Sequence, residues 1–278
     1  MILLAAAPAF SFDGLVDGIF TEVQAFIAGD SGPFGMVVLG FLVAVHAIVG
    51  GAELASGRPS RLTSGAFWTR FILVITLLVG FDVIITGFTK LIVSGSVNAI
   101  ADKTTGMWEI WADRTTLQYN EAIKMFEAQT SGLNLFTMGV SNLMEALISG
   151  MGMTLCLLIG GLCFLFCYFQ AILGACLSAF MVALGPLCLP FAMHESTQDI
   201  AIGYLKSWLV YGVFYMPALV MAFGIAATVL SGLVNFSYGT AYTNNFDVFE
   251  HFLNMVVGPF AALAVVMAAP ALLKGAIR

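Results

Sequence analysis

The sequence predicts an all-α fold, a polytopic bundle of about five transmembrane helices joined by amphipathic interfacial helices. Three observations predict it. The chain has 278 residues, 60% hydrophobic and only 9% charged, whereas a soluble domain uses about 25% charged residues to cover itself. Its apolar residues gather in runs long enough to cross a bilayer, which takes roughly 20 residues each. Its few Lys and Arg fall in connections that a single membrane orientation can explain.

Residues 1–33 read as a periplasmic amphipathic segment. The opening MILLAAAPAFSFDG has the small residues of a cleavage site but lacks the basic start of a signal peptide. Beyond it Leu15, Val16, Ile19, Phe20 and Val23 share one helical face, with Asp13, Asp17, Glu22 and Gln24 mainly off it. That pattern predicts a helix lying on a membrane surface or against a partner. Residues 34–97 supply the first two crossings, Gly35 to Ala52 with its flanks and Phe71 to Val97. Residues 98–145 form an external connection with a second amphipathic pattern. Trp108, Trp111, Tyr119, Ile123 and Phe126 lie near one face, opposite Glu109, Asp113, Asn120 and Glu121. Trp108, Trp111 and Phe126 are the candidate partner or membrane surface.

Residues 146–278 hold the remaining crossings, and their first part is the hardest to read. No Asp, Glu, Lys or Arg occurs from Ala146 to His194. As one straight helix this run would extend about 74 Å, over twice a hydrocarbon core of about 30 Å. It is therefore two crossings, or one long bent crossing with an interfacial or re-entrant tail. Charge decides between them. Arg58, Arg61 and Arg70 flank the first connection, while no Lys or Arg precedes Gly35. The positive-inside rule then sets the N-terminus outside. A single crossing for the run puts Lys206, Lys274 and Arg278 inside and the acidic 235–251 connection outside. A sixth crossing would reverse all three. The sequence thus favours five spans, N-out and C-in. A corner at 185–199 ends the run: Gly185, Pro186 and Pro190 bend or stop the helix, and Ser196 to Asp199 offers a capping-box-like start for the next. Trp68 and Trp208 fall at the cytoplasmic ends of helices, where indole rings favour the headgroup level.

Ala171, Ala175, Ala179 and Ala183 repeat every fourth residue, a spacing that lets helix backbones approach closely in lipid. The ladder serves packing within one chain or between subunits. His46 and Asp82 are the intramembrane polar groups, and a His46–Asp82 pair would satisfy both. The five cysteines all lie within the uncharged run, without a His at zinc-ligand spacing, and read as small apolar residues. No P-loop, complete zincin motif or Gly-x-Ser-x-Gly elbow is present, so no catalytic, metal or cofactor residue is expected. A net charge of −6 and no basic run argue against direct sequence-specific nucleic-acid binding.

The segment ALGPLCLPFAMHESTQDIAIGYLKSWLVYGVF, residues 183–214, resembles the characteristic segment of TrbL-like polytopic inner-membrane subunits of bacterial type IV secretion and conjugation systems. Gly185, Pro186, Phe191, Glu195 and Trp208 are the matching positions. The five-crossing, N-out layout is similar to that family, as is the sizeable external connection. The resemblance implies an inner-membrane component that assembles with other copies and with pilin, periplasmic core subunits and cytoplasmic ATPases. It also implies a part in translocating DNA or protein, or in building a pilus. Two other readings stand beside it: a stand-alone channel or secondary transporter using His46 and Asp82, and a membrane assembly factor.

Overall fold

The computed structural model describes residues 12–130, 140–236 and 245–276, and every regular element among them is helical. Helix α1 (Phe12–Phe26) passes through a π segment, Ile27–Ser31, into α2 (Gly32–Ala55). After a short turn come α3 (Gly65–Val79), a π segment at Asp82–Thr86, and α4 (Gly87–Thr130). Then follow α5 (Val140–Ala183), α6 (Gly185–Cys188), a 3-10 stretch at Leu189–Met193, and α7 (Gln198–Ser207). A third π segment, Trp208–Phe214, leads to α8 (Tyr215–Phe236), and α9 (Asn245–Ala276) comes last. Among the described residues, five stretches are long and apolar enough to cross a membrane: Gly14–Ala55, Asp82–Gln118, Leu157–Met193, Gln198–Val234 and Met255–Leu272. The protein is an all-helical, multi-pass membrane protein.

The uncharged run does not double back. Helix α5 continues unbroken to Ala183, because small and apolar residues keep a helix intact and the first proline comes only at Pro186.

Three elements differ from the sequence expectation. First, α1 is not a detached surface helix but the beginning of α2. It buries Val16 and Phe20, the Lys90 ammonium lies 2.9 Å from Asp17, and the Gln24 amide donates to Asp82 at 3.1 Å. Rising numbers on α1 therefore meet falling numbers on the Asp82–Lys90 stretch, so the two run antiparallel. Second, the predicted Phe71–Val97 helix starts earlier and is interrupted: α3 begins at Gly65 and closes at Gly80, whose N–H bonds the Thr76 carbonyl at 2.9 Å. Third, the stretch after Asn98 does not start a new helix, since α4 carries on from Gly87 to Thr130.

The chain divides into two compact units. One takes Ala99–Ala171 with Leu219–Leu272, and the other takes Ser11–Asn98 with Ile172–Ala218. The first is cored by Met107, Trp111, Phe164, Leu230 and Met255. In the second, Leu39, Phe67, Val74 and Met193 form a buried cluster, flanked by Leu42, Leu62 and Phe71.

Candidate functional site

The corner after α5 is the most elaborately held feature of the second unit. Pro186 and Pro190 lack an N–H, so neither can supply the i+4 bond to the carbonyls of Val182 and Pro186, and the long helix stops. A single turn, α6, gives way to the 3-10 stretch, and at His194 the backbone becomes extended. Polar groups then tie the loop to itself. Thr197 Oγ1 donates to the Phe191 carbonyl at 2.9 Å, the Ser196 N–H donates to His194 Nδ1 at 3.2 Å, and the Gln198 N–H donates to the His194 carbonyl at 2.9 Å. The expected capping box does not form: Thr197 is the N-cap of α7, and its side chain makes no capping bond. Its hydroxyl closes the corner instead.

The corner is seated by close backbone approach. A Cβ at Gly35 of α2 would overlap the Pro186 carbonyl oxygen, and one at Gly185 would overlap the tip of the Phe81 ring and crowd the Tyr204 hydroxyl. Only hydrogen fits at either position. Below this contact Met193 packs with Leu39, Phe67 and Val74. His46 is buried, with Nδ1 2.9 Å from the Leu42 carbonyl. Its ring lies 5.1 Å from that of His194 and 5.3 Å from that of Phe67. Arg70 reaches Glu195 at 3.5 Å; both side chains are substantially exposed, so the pair contributes about 0–1 kcal/mol. At the far end Trp208 Nε1 donates to Thr89 Oγ1 at 3.0 Å. The joint fixes the end of α5 and the start of α7 to the α2–α3 hairpin. It is held by packed rings, close glycine backbone and hydrogen bonds, among them Ser196 Oγ 2.7 Å from His194 Nδ1.

Of the sequence-predicted positions, Gly185, Pro186, Pro190, Phe191, Glu195 and Trp208 meet in this joint. His46 does too, but its ring neighbours are His194 and Phe67, while Asp82 takes a hydrogen bond from Gln24. The His46–Asp82 pairing is thereby corrected. Ala171, Ala175 and Ala179 are only 1–2% exposed and Ala183 is half-buried, so the small-residue ladder is used within the chain. Ser178, on the same ladder, has its hydroxyl 2.8 Å from the Tyr211 carbonyl and 3.0 Å from that of Gly174.

Trp111 is also relocated. It is 2% exposed, and its indole N–H donates to the Met255 carbonyl at 3.1 Å. Pro259, four residues on, has no N–H to serve that carbonyl, so the indole replaces the missing donor. Trp111 is thus a core residue rather than a docking surface. Trp108 is half-buried, 5.4 Å from Phe164, and the Phe126 side chain lies outside the described residues. Sequence reasoning missed Gly35, Phe81, Thr89 and Pro259. Gly35 sits in an apolar span among other glycines, and nothing in its neighbours marks it as the one that must be bare.

A search of curated proteins returned no match. The family model described as TrbL/VirB6 plasmid conjugal transfer protein matches residues 42–269, which takes in most of the chain and the whole corner. The chain belongs to the TrbL/VirB6 plasmid conjugal transfer family.

Proposed function

We propose that the protein is a structural and conduit subunit in the inner membrane of a bacterial type IV secretion or conjugation machine, acting in substrate translocation, pilus assembly or both. The family match over residues 42–269 carries this reading, and five apolar stretches of membrane-spanning length agree with it. The subunit works as a homo-oligomer, N-out and C-in, in contact with lipid, pilin, periplasmic core subunits and the cytoplasmic ATPases. The charge distribution supports that orientation, since Arg58, Arg61, Arg70, Lys206 and Lys274 then all face the cytoplasm. The corner at 185–199 then lies toward the cytoplasmic side, within reach of the ATPases. Separate surroundings for His46 and Asp82 weigh against the stand-alone transporter, whose site would need both.

The test is deletion of the gene from a conjugative host, with the full chain returned on a second plasmid. Mating should fall to background and recover on complementation. Counting pili on the deletion strain separates the roles: pili without mating indicates translocation, and loss of both indicates assembly. Undiminished mating would overturn the reading.

A further inference from the structure

We propose that α1 is a lever with two settings, seated as described above or released, and that the π segment Ile27–Ser31 is the joint on which it turns. A π turn is wider than an α turn by one residue, is rare, and is found most often where a helix does something besides span. Ile27–Ser31 and Asp82–Thr86 are both wound this way, with the Gly32 N–H reaching back to the Ile27 carbonyl and the Gly87 N–H to that of Asp82. Each segment ends in a buried hydroxyl that has no hydrogen-bond partner, Ser31 at 1% exposed and Thr86 at 0%. Other helical hydroxyls in the chain donate to the carbonyl four residues back: Thr21 to Asp17, Thr69 to Gly65, Thr104 to Ile100. The wide turn denies Ser31 and Thr86 that bond, and a buried hydroxyl left unpaired is costly. Winding either segment back to α would restore it.

The seat of α1 holds the wide turns in place. Gln24, three residues before one π segment, donates at 3.1 Å to Asp82, the first residue of the other. Asp17 lies 2.9 Å from Lys90, and Val16 and Phe20 are buried. Winding Ile27–Ser31 back to α turns α1 relative to α2 by about 100°, one residue's share of a helical turn. These contacts therefore break together. The released helix gains the Ser31 bond and lays Val16 and Phe20 on the bilayer surface, where an amphipathic helix is stable. Loss of the Gln24 bond also frees Asp82, so the second segment can follow the first. Gly32 marks the seated setting in the sequence. A Cβ there would stand 2.5 Å from the Ile27 carbonyl oxygen, five residues back, whereas one at Gly29, inside the same segment, meets nothing within 4 Å. Alanine at position 32 is thus incompatible with the wide turn, and alanine at 29 is not.

The experiment uses the full chain in host membranes, carrying Asp17→Cys with Lys90→Cys and treated with a short bismaleimide. Linked peptides are identified by mass spectrometry. A second pair, Arg70→Cys with Glu195→Cys, reports on the corner, whose receiving residues Leu39, Phe67 and Val74 lie on α2 and α3. Gly29→Ala should leave the adduct between positions 17 and 90 as it was. Gly32→Ala should lose most of it while keeping the adduct between 70 and 195. Deletion of Ala28, which takes one residue out of the wide turn, should do the same. Ser31→Ala removes the hydroxyl that favours release and should hold the first adduct at or above its starting level. An undiminished adduct between 17 and 90 in either Gly32→Ala or the deletion would overturn the proposal. Loss of both adducts together would overturn it too, since the chain would then be unfolding rather than turning at one joint.

Discussion

Gly35 and the Pro186 carbonyl meet so closely that one methyl group should be measurable. Gly35→Ala forces apart α2 and the corner, and overpacking of this kind destabilises by about 1–3 kcal/mol. Gly40→Ala, five residues along the same helix with nothing within 4 Å of its added carbon, should leave stability unchanged or slightly raised. Thermal unfolding of both variants in detergent checks the contrast. Trp111 invites a cycle rather than a single change. Trp111→Phe keeps the ring but strips the donor from the Met255 carbonyl, a buried loss of about 1–3 kcal/mol. Pro259→Ala restores a backbone N–H at the i+4 position. Trp111→Phe should therefore cost clearly less in the Pro259→Ala background, and equal costs would mean the indole bond is incidental. At the other end of the joint, Trp208→Phe removes the bond to Thr89 and should cost about 0.5–1.5 kcal/mol.

At the scale of elements, the long uncharged stretch was legible because neither proline nor a charged residue interrupts it before the corner, and α5 runs unbroken to Ala183. Pro186 marked its end correctly, since a missing N–H acts locally and needs no tertiary context. The N-terminal helix was misjudged for the complementary reason. Its amphipathic face is real, but periodicity records that a face is apolar and not what covers it, and Val16 and Phe20 are covered by the chain itself. The same blindness explains Trp111, whose partner is 144 residues away. Antiparallel seating of α1 on the Asp82–Lys90 stretch makes its own prediction. Asp17→Lys sets two cations together and should loosen α1, raising protease access near Glu22, and Asp17→Lys with Lys90→Asp should restore protection.

For the whole molecule, the number of membrane-length apolar stretches was readable from sequence, while their bounds were not, since the first two candidates run Gly14–Ala55 and Asp82–Gln118, and the joint at 185–199 was readable only in part. Its own residues carry a motif; the surfaces that receive it, Leu39, Phe67 and Val74, look like any other apolar positions. Orientation has a direct test: a reporter fused after Arg278 should register in the cytoplasm and one inserted near Tyr242 outside. The distance in sequence between the two halves of the joint also has a consequence during synthesis. Val74 leaves the ribosome about 120 residues before Met193, a wait of roughly 6–24 s at bacterial elongation rates of 5–20 residues per second. Throughout that interval the nascent hairpin has a receptor surface without its lid, so an insertase or membrane chaperone has a natural client there. A chain truncated before Leu184 should accordingly be cleared by quality-control proteases, whereas one extending past Trp208 should persist.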